Sequence, residues 1–208
     1  MPDLILASGS PRRRELLSCI GVDFGVQPVE VEEVFGNARD PQILARRLAR
    51  EKAEAARLAA AMPPILAADT IVWLDGEAFG KPSDAQSARQ MLRALRGRVH
   101  QVVTGIAVIP AGKRNALVRT PVTEVQMREY TDEEIEESIW RGDPFDKAGG
   151  YGIQDTVFQP VQQYLGCYCN VVGLSLWATI ELMHKVGLSP AHPAQTFPQC
   201  EHCPLRPR

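Results

Sequence analysis

The chain opens on a short apolar run, Leu4-Ile5-Leu6-Ala7, followed by Ser8-Gly9-Ser10 and then Pro11-Arg12-Arg13-Arg14-Glu15-Leu16-Leu17. The apolar run predicts a buried strand and the small residues a turn. Pro11 predicts the first turn of a helix over 11–20, where its missing N–H costs nothing. Beyond Gly21 the stretch 24–31 predicts a second strand. Asp40-Pro41 then opens a long helix running to about 60, with a capping carboxylate and a proline at the first helical position. Its row Leu44, Leu48, Lys52, Ala56 repeats at i, i+4 and forms an apolar face that includes a lysine.

Met62-Pro63-Pro64 breaks that helix, and 65–74 predicts a central strand with Asp69 in its middle, followed by the hairpin turn Asp75-Gly76. After Gly80-Lys81-Pro82, Ser83 and Gln86 predict a capping box for a helix with the stripe Ala85, Ala88, Leu92, Leu95. Strands are expected over 99–109 and 116–127, separated by the turn Pro110-Ala111-Gly112-Lys113. Thr131 with Glu134 opens an acidic helix to about Trp140, and 141–154 reads as a polar functional loop. A strand over 157–161 and a helix over 174–186 complete the pattern. Helices alternating with strands and a mid-chain hairpin predict one α/β domain with a mixed twisted sheet and flanking helices. From about Pro190 the Pro-, Gln- and His-rich sequence predicts a disordered tail over 190–208.

At 208 residues, with 45% hydrophobic and 23% charged residues, the chain can bury a sizeable core. A net charge of −2 gives no sign of a general nucleic-acid surface. The apolar runs fall short of a membrane span, and the start lacks the pattern of a signal peptide. The five cysteines are an odd number gathered mostly late, so the expectation is a reduced, cytoplasmic protein.

The strand-to-helix turn at Ser8–Leu17 reads in two ways: an ordinary turn with solvated arginines, or a helix N-terminus whose N–H groups, hydroxyls and guanidiniums attract phosphate. Asp69 sits inside an apolar strand, where a lone charge is expensive, so it needs a metal ion, a base or a backbone donor. Glu30, Glu32 and Glu33 are either a solvated acidic run or a source of one more carboxylate beside it. Lys52 either snorkels from its apolar face or points into a phosphate cleft; Lys81 and Lys147 stand in Gly-flanked turns. Acids for a divalent cation and bases for a polyphosphate suit phosphoryl or nucleotidyl chemistry. His100 is a lone histidine at a strand start and reads as structural or supporting; the sequence carries neither a P-loop lysine motif nor a Gly-x-Ser-x-Gly elbow.

Taken together, Leu6-Ala7-Ser8-Gly9-Ser10-Pro11-Arg12-Arg13, Ala68-Asp69-Thr70-Ile71-Val72, Gly80-Lys81-Pro82 and Leu95-Arg96-Gly97-Arg98-Val99-His100 resemble the blocks of the Maf family of nucleoside triphosphate pyrophosphatases, in the right order. Asp143-Pro144-Phe145-Asp146-Lys147-Ala148-Gly149-Gly150-Tyr151-Gly152-Ile153-Gln154 resembles its late block, and the match spans about 3–187. The resemblance implies a Maf/Ham1 (ITPase-like) fold over 1–189, with a cleft between two lobes. It implies hydrolysis of a nucleoside triphosphate between the α and β phosphates with Mg²⁺ or Mn²⁺, by a homodimer; from charge and hydropathy, neither nucleic acid nor a membrane is an expected partner.

By motif, Asp69 is the proton acceptor and Glu33 its metal or water-orienting partner, so that Glu33 and Asp69 form the metal site. Ser8, Arg13, Lys52 and Lys81 grip the phosphates, with Lys147 also facing substrate. Arg12, Thr70 and Gln154 match the trio of the dTTP/UTP branch; the sibling branch acts on 7-methyl-GTP. Asp155, Gly150 and Ser175 depart from the family pattern, and Asp155 adds charge beside the base reader. Two other readings are a modified purine nucleotide as substrate and a nucleotide-binding regulator of cell division or septum formation. The set Asp69, Lys52, Lys81 and Glu33 exceeds what a pure binder needs. Cys200-Glu201-His202-Cys203 has zinc-knuckle spacing within the expected tail; a second ligand pair would have to come from Cys167 and Cys169 or from another subunit.

Overall fold

The computed structural model of the protein describes residues 1–32, 34–36, 38–57 and 63–207. Its centre is a mixed sheet in the order β2-β1-β3-β5-β7-β8. The strands are β1 (Leu4–Leu6), β2 (Phe24–Val26), β3 (Ile65–Leu74), β4 (Glu77–Phe79), β5 (Val99–Ile109), β6 (Leu117–Arg119), β7 (Val122–Met127) and β8 (Val161–Leu165). β1 runs parallel to β2 and β3, and the other pairings are antiparallel, with β4 beside β3 and β6 beside β5. The helices are α1 (Pro11–Ser18), α2 (Pro41–Ala56), α3 (Ala85–Leu95), α4 (Asp132–Trp140), α5 (Tyr168–Val172) and α6 (Leu176–Lys185). The expected mixed α/β architecture with flanking helices is therefore present. Among the described residues no helix is long and apolar enough to cross a membrane.

The alternation along β3 sorts the core. Leu66 and Ala68 pack with α1 and α6, whereas Val72 and Leu74, on the same face, pack with α3 and α4. Thr70 lies between these two clusters. On the opposite face Ile65 and Ala67 belong to one cluster under α2 and Ile71 to another, with Asp69 between them. β1 pairs with β3 only as far as Leu66, and β4 rejoins it at Val72. The β3 edge at 68–71 is thus left open, and both polar residues of the strand sit at that opening.

α2 forms as its sequence dictates: Asp40 accepts from the N–H groups of Gln42 and Ile43, Pro41 follows, and Leu44, Ala45, Leu48, Ala49, Ala53 and Ala56 are buried. Gly105, opposite Asp69 in the β3–β5 register, lets this helix lie close to the sheet; a Cβ there would be 2.0 Å from the Ala45 carbonyl oxygen.

Several elements differ from expectation. β2 ends at Val26, and Pro28, which lacks an N–H, prevents the ladder from continuing over 24–31. The expected strand over 116–127 divides at Pro121 into β6 and β7 for the same reason. α3 is capped one residue later than predicted, by Asp84 and Ser87 in a reciprocal box. Val157 and Phe158 form a turn, not a strand, because Asp155 accepts from both of their N–H groups; β8 follows at Val161–Leu165. The helix expected over 174–186 is present as α6, and the sequence pattern did not mark the short α5 that precedes it across Gly173, where φ is +126°. The expectation for 58–60 at the end of the long helix falls outside the described residues. The segment expected as a disordered tail instead carries two short turns, Pro193–Gln195 and Pro198–Cys200, and buries Cys200 and Cys203 against α6 and α5.

Candidate active site

The open edge of β3 forms the floor of a cleft of about 490 Å³, with α1 on one wall and 146–154 on the other. Ser8, Arg12, Arg13, Lys52, Asp69, Thr70, Lys81, Lys147 and Gln154 all line it. Residues brought from five separate stretches therefore share one cavity. Glu33 lies outside the described residues; of its neighbours, Glu30 lines the cleft.

The first wall is built as its sequence suggests. Ser10 caps α1 by accepting from the N–H of Arg13, and Pro11 occupies the first helical position. Arg13 turns back across the cleft floor: its Nε donates to the Gly173 carbonyl at 2.9 Å, Nη1 to Ser8 Oγ at 3.3 Å and Nη2 to Thr70 Oγ1 at 3.1 Å. Thr70 Oγ1 is 3.0 Å from Thr104 Oγ1, which donates to the Asn170 carbonyl at 2.9 Å. Asn170 Nδ2 donates in turn to the Val102 carbonyl at 2.9 Å and to Thr123 Oγ1 at 3.0 Å. This relay locks the guanidinium to β3, β5 and α5 and fixes its orientation.

Asp69 is only 3% exposed and forms an ion pair with Lys52 Nζ. The helix supplies the lysine from its sheet-facing row and the strand supplies the carboxylate. A carboxylate this far from solvent needs such a partner. The pairing places one proton-accepting group and one cation at the same point of the cleft.

The far wall is anchored by Asp146. Arg12 Nη1 pairs with its carboxylate and Nη2 donates to its carbonyl at 2.9 Å, while Lys147 Nζ reaches the same carboxylate at 2.7 Å. Burial pushes the Asp146 pKa up, but the hydrogen bonds from Lys147 and Arg12 outweigh it and hold the group below its usual value. Arg12 therefore ties α1 to the opposite side of the cleft. Gly152 sits under Gln154 and Lys147, since a Cβ would meet Gln154 Nε2 at 3.1 Å and Lys147 Cε at 3.2 Å. Asp155, which departs from the family pattern, is occupied away from Gln154: it caps 157–158 and lies 3.6 Å from Arg141.

His100 is buried and shares a 2.6 Å hydrogen bond between Nε2 and Tyr151 OH, and Tyr151 lines the cleft. Burial lowers the histidine's pKa to about 4 and raises that of the tyrosine, so both are neutral near pH 7. The pair is a support beneath the cavity, in line with the structural reading of His100.

Sequence reasoning assigned no role to Asp146, Thr104, Asn170 or the Gly173 carbonyl. Asp146 lay inside a quoted motif, but its partner is 134 positions away. The others carry ordinary core residue types: the register of β3 and β5 brings Thr104 to Thr70, and the packing of α5 brings Asn170 and the Gly173 carbonyl to Thr104 and Arg13.

A mixed sheet with an open strand edge, and a cleft there that gathers arginines and lysines around a buried, lysine-paired carboxylate, has the charge pattern of a site for a polyanion. The chain belongs to the Maf family: the family described as Maf-like protein matches residues 3–186. Among curated relatives, a dTTP/UTP pyrophosphatase of Thermomicrobium roseum is 47% identical over 209 residues, covering 98% of this chain and 94% of its own. A dTTP/UTP pyrophosphatase of Chromobacterium violaceum is 46% identical over 189 residues, covering 88% and 94%. One from Dictyoglomus thermophilum is 42% identical over 188 residues, covering 90% and 97%. Among solved structures, a HAM1 protein from Coxiella burnetii superposes with a TM-score of 0.45 at 17% identity, covering 77% of this chain and 81% of that one.

Proposed function

We propose that this chain is a nucleoside triphosphate pyrophosphatase that hydrolyses dTTP, UTP and modified pyrimidine nucleotides at the α–β bond, releasing the monophosphate and pyrophosphate. The observation that carries this reading is the placement of Asp69, buried at the open edge of β3 beside Lys52 in a cleft lined by cations. The names of the curated relatives support the substrate class.

In this reading Ser8, Arg13, Lys52 and Lys81 hold the phosphate oxygens, and Lys147 adds charge from the facing wall. Asp69 accepts the proton of the attacking water, and Lys52, ion-paired with it, faces the negative charge that develops at the phosphate. Arg13 is already oriented by Gly173, Ser8 and Thr70, so little reorganisation accompanies binding. Arg12, Thr70 and Gln154 select the base, the glutamine amide offering one donor and one acceptor to a uracil-type edge. A divalent ion of the Mg²⁺ or Mn²⁺ type needs only one or two carboxylates plus substrate oxygens, and Asp69 supplies one carboxylate at the cleft floor. Asp69 and Glu33 would hold it, and when bound it would polarise the phosphoryl oxygen. A homodimer and a cytoplasmic site of action belong to the same proposal, with light scattering and cell fractionation as their checks.

A panel of nucleoside triphosphates incubated with Mg²⁺ or Mn²⁺ tests the substrate class. The expected ranking puts dTTP, UTP and 5-modified analogues first. Preference for 7-methyl-GTP would overturn the base assignment, and absence of pyrophosphate from every nucleotide would overturn the activity.

A further inference from the structure

The four late cysteines converge, although they come from two stretches about 30 residues apart. Cys167 stands at the N-terminal cap of α5 and Cys169 in its first turn, while Cys200 ends the short turn Pro198–Cys200 and Cys203 follows three residues on. Exposures of 2%, 1%, 1% and 7% place all four in the same buried cluster. Cys169 Sγ is 3.5 Å from Cys200 Sγ, and the thiols of Cys169 and Cys203 both reach the sulfur of Cys167. Each sulfur thus touches at least one other, and none is in a disulfide.

We propose that these four cysteines form a structural zinc site that fastens the C-terminal segment to the base of α5. Two closely spaced Cys pairs on separate turns are the usual supply of a tetrahedral Cys₄ site. With Zn–S bonds of about 2.3 Å, tetrahedral ligands stand about 3.8 Å apart, close to the separation of Cys169 and Cys200 and well beyond the about 2.05 Å of a disulfide. Among the described residues no cluster is already set at metal-ligand geometry; the thiols are turned toward one another as hydrogen-bonded neighbours. Rotation about χ1 moves a cysteine sulfur by up to about 3 Å, enough to redirect the side chains toward a shared ion. Zinc binding releases the thiol protons to solvent and leaves four thiolates on one Zn²⁺.

The surroundings suit such a staple. The Ser175 hydroxyl is 3.4 Å from Cys167 Sγ, the Cys167 N–H donates to Thr123 Oγ1 at 3.0 Å, and Trp177 Nε1 donates to the Cys200 carbonyl at 2.9 Å. The C-terminal segment has few apolar residues of its own to bury, so a metal supplies cohesion that packing alone does not. α5 stands between this cluster and the substrate cleft, because Asn170 and Gly173 at its end hold Thr104 and Arg13. The site would therefore also steady one wall of the active site.

The test measures metal in the full chain after loading with Zn²⁺ and removal of excess, with Co²⁺ as a spectroscopic stand-in. The expected result is about one zinc per chain, an intense thiolate–cobalt charge-transfer band, and loss of both in Cys200→Ser/Cys203→Ser, while Cys19→Ser keeps them. The double variant is also expected to have a lower Tm and altered Trp177 fluorescence. Failure to retain zinc with no cobalt band, retention of metal by the double variant, or a Cys169–Cys200 disulfide in the loaded protein would each overturn the assignment.

Discussion

The Lys52–Asp69 pair joins the sheet-facing row of a helix to the middle of a strand, and it concentrates the proposed chemistry at one point. Lys52→Met removes a preorganised cation facing the developing charge, so kcat should fall by about 10²-fold, with steady-state kinetics as the check. A loss confined to KM would instead make the lysine a ground-state binder. His100 offers a separate handle, because its pKa is lowered to about 4 in the fold. The unfolded chain, with a histidine pKa near 6.5, binds the proton first as pH falls. The stabilising effect of the neutral buried ring is therefore full above about pH 6.5 and is lost on the way down to about pH 4, by up to about 3 kcal/mol. Urea unfolding across that range should show the slope in the native protein and a flatter profile in His100→Gln; equal slopes would remove His100 as the cause. At this scale the sequence marked Lys52 through its place on an apolar row and Asp69 through its place in an apolar strand. It did not mark Asp146 as the partner of Arg12, because nothing local connects two residues 134 positions apart.

Among the elements, α2 is the one that sets the site, and it does so through its close approach to β5 at Gly105. A side chain at that position would collide with the backbone of α2 at Ala45, not with a movable side-chain end. Gly105→Ala is thus expected to cost about 1–3 kcal/mol and to lower kcat by moving Lys52 away from Asp69, as measured by chemical denaturation and turnover on the same sample. Unchanged stability would mean that the helix does not need this contact. The helices with clear caps were legible: Asp40-Pro41 and the Thr131–Glu134 box stand where the structure has them. The short strands were less so. β2 stops early and β8 begins late because Pro28 and the Asp155 turn override an apolar pattern that is equally consistent with a strand.

Over the whole molecule, two packing clusters on one face of a shared sheet, with α2 across the other face, leave a cleft where β1 parts from β3. The alternation of helices and strands made the α/β class readable. The order β2-β1-β3-β5-β7-β8 was not, since it depends on pairings between distant stretches. The C-terminal segment shows the same limit: its composition suggests disorder, while its cysteines meet partners that only the folded chain brings near. The central claim, that this cleft cleaves the α–β bond of a pyrimidine nucleoside triphosphate with Asp69 as proton acceptor, is tested most directly by resolving the products of dTTP turnover. The native chain and Asp69→Asn should be compared with Mg²⁺ present. The native chain should give dTMP and pyrophosphate in equal amounts, with kcat reduced by about 10²–10⁴-fold in the folded variant. Formation of dTDP and inorganic phosphate, or equal turnover by the variant, would contradict the account.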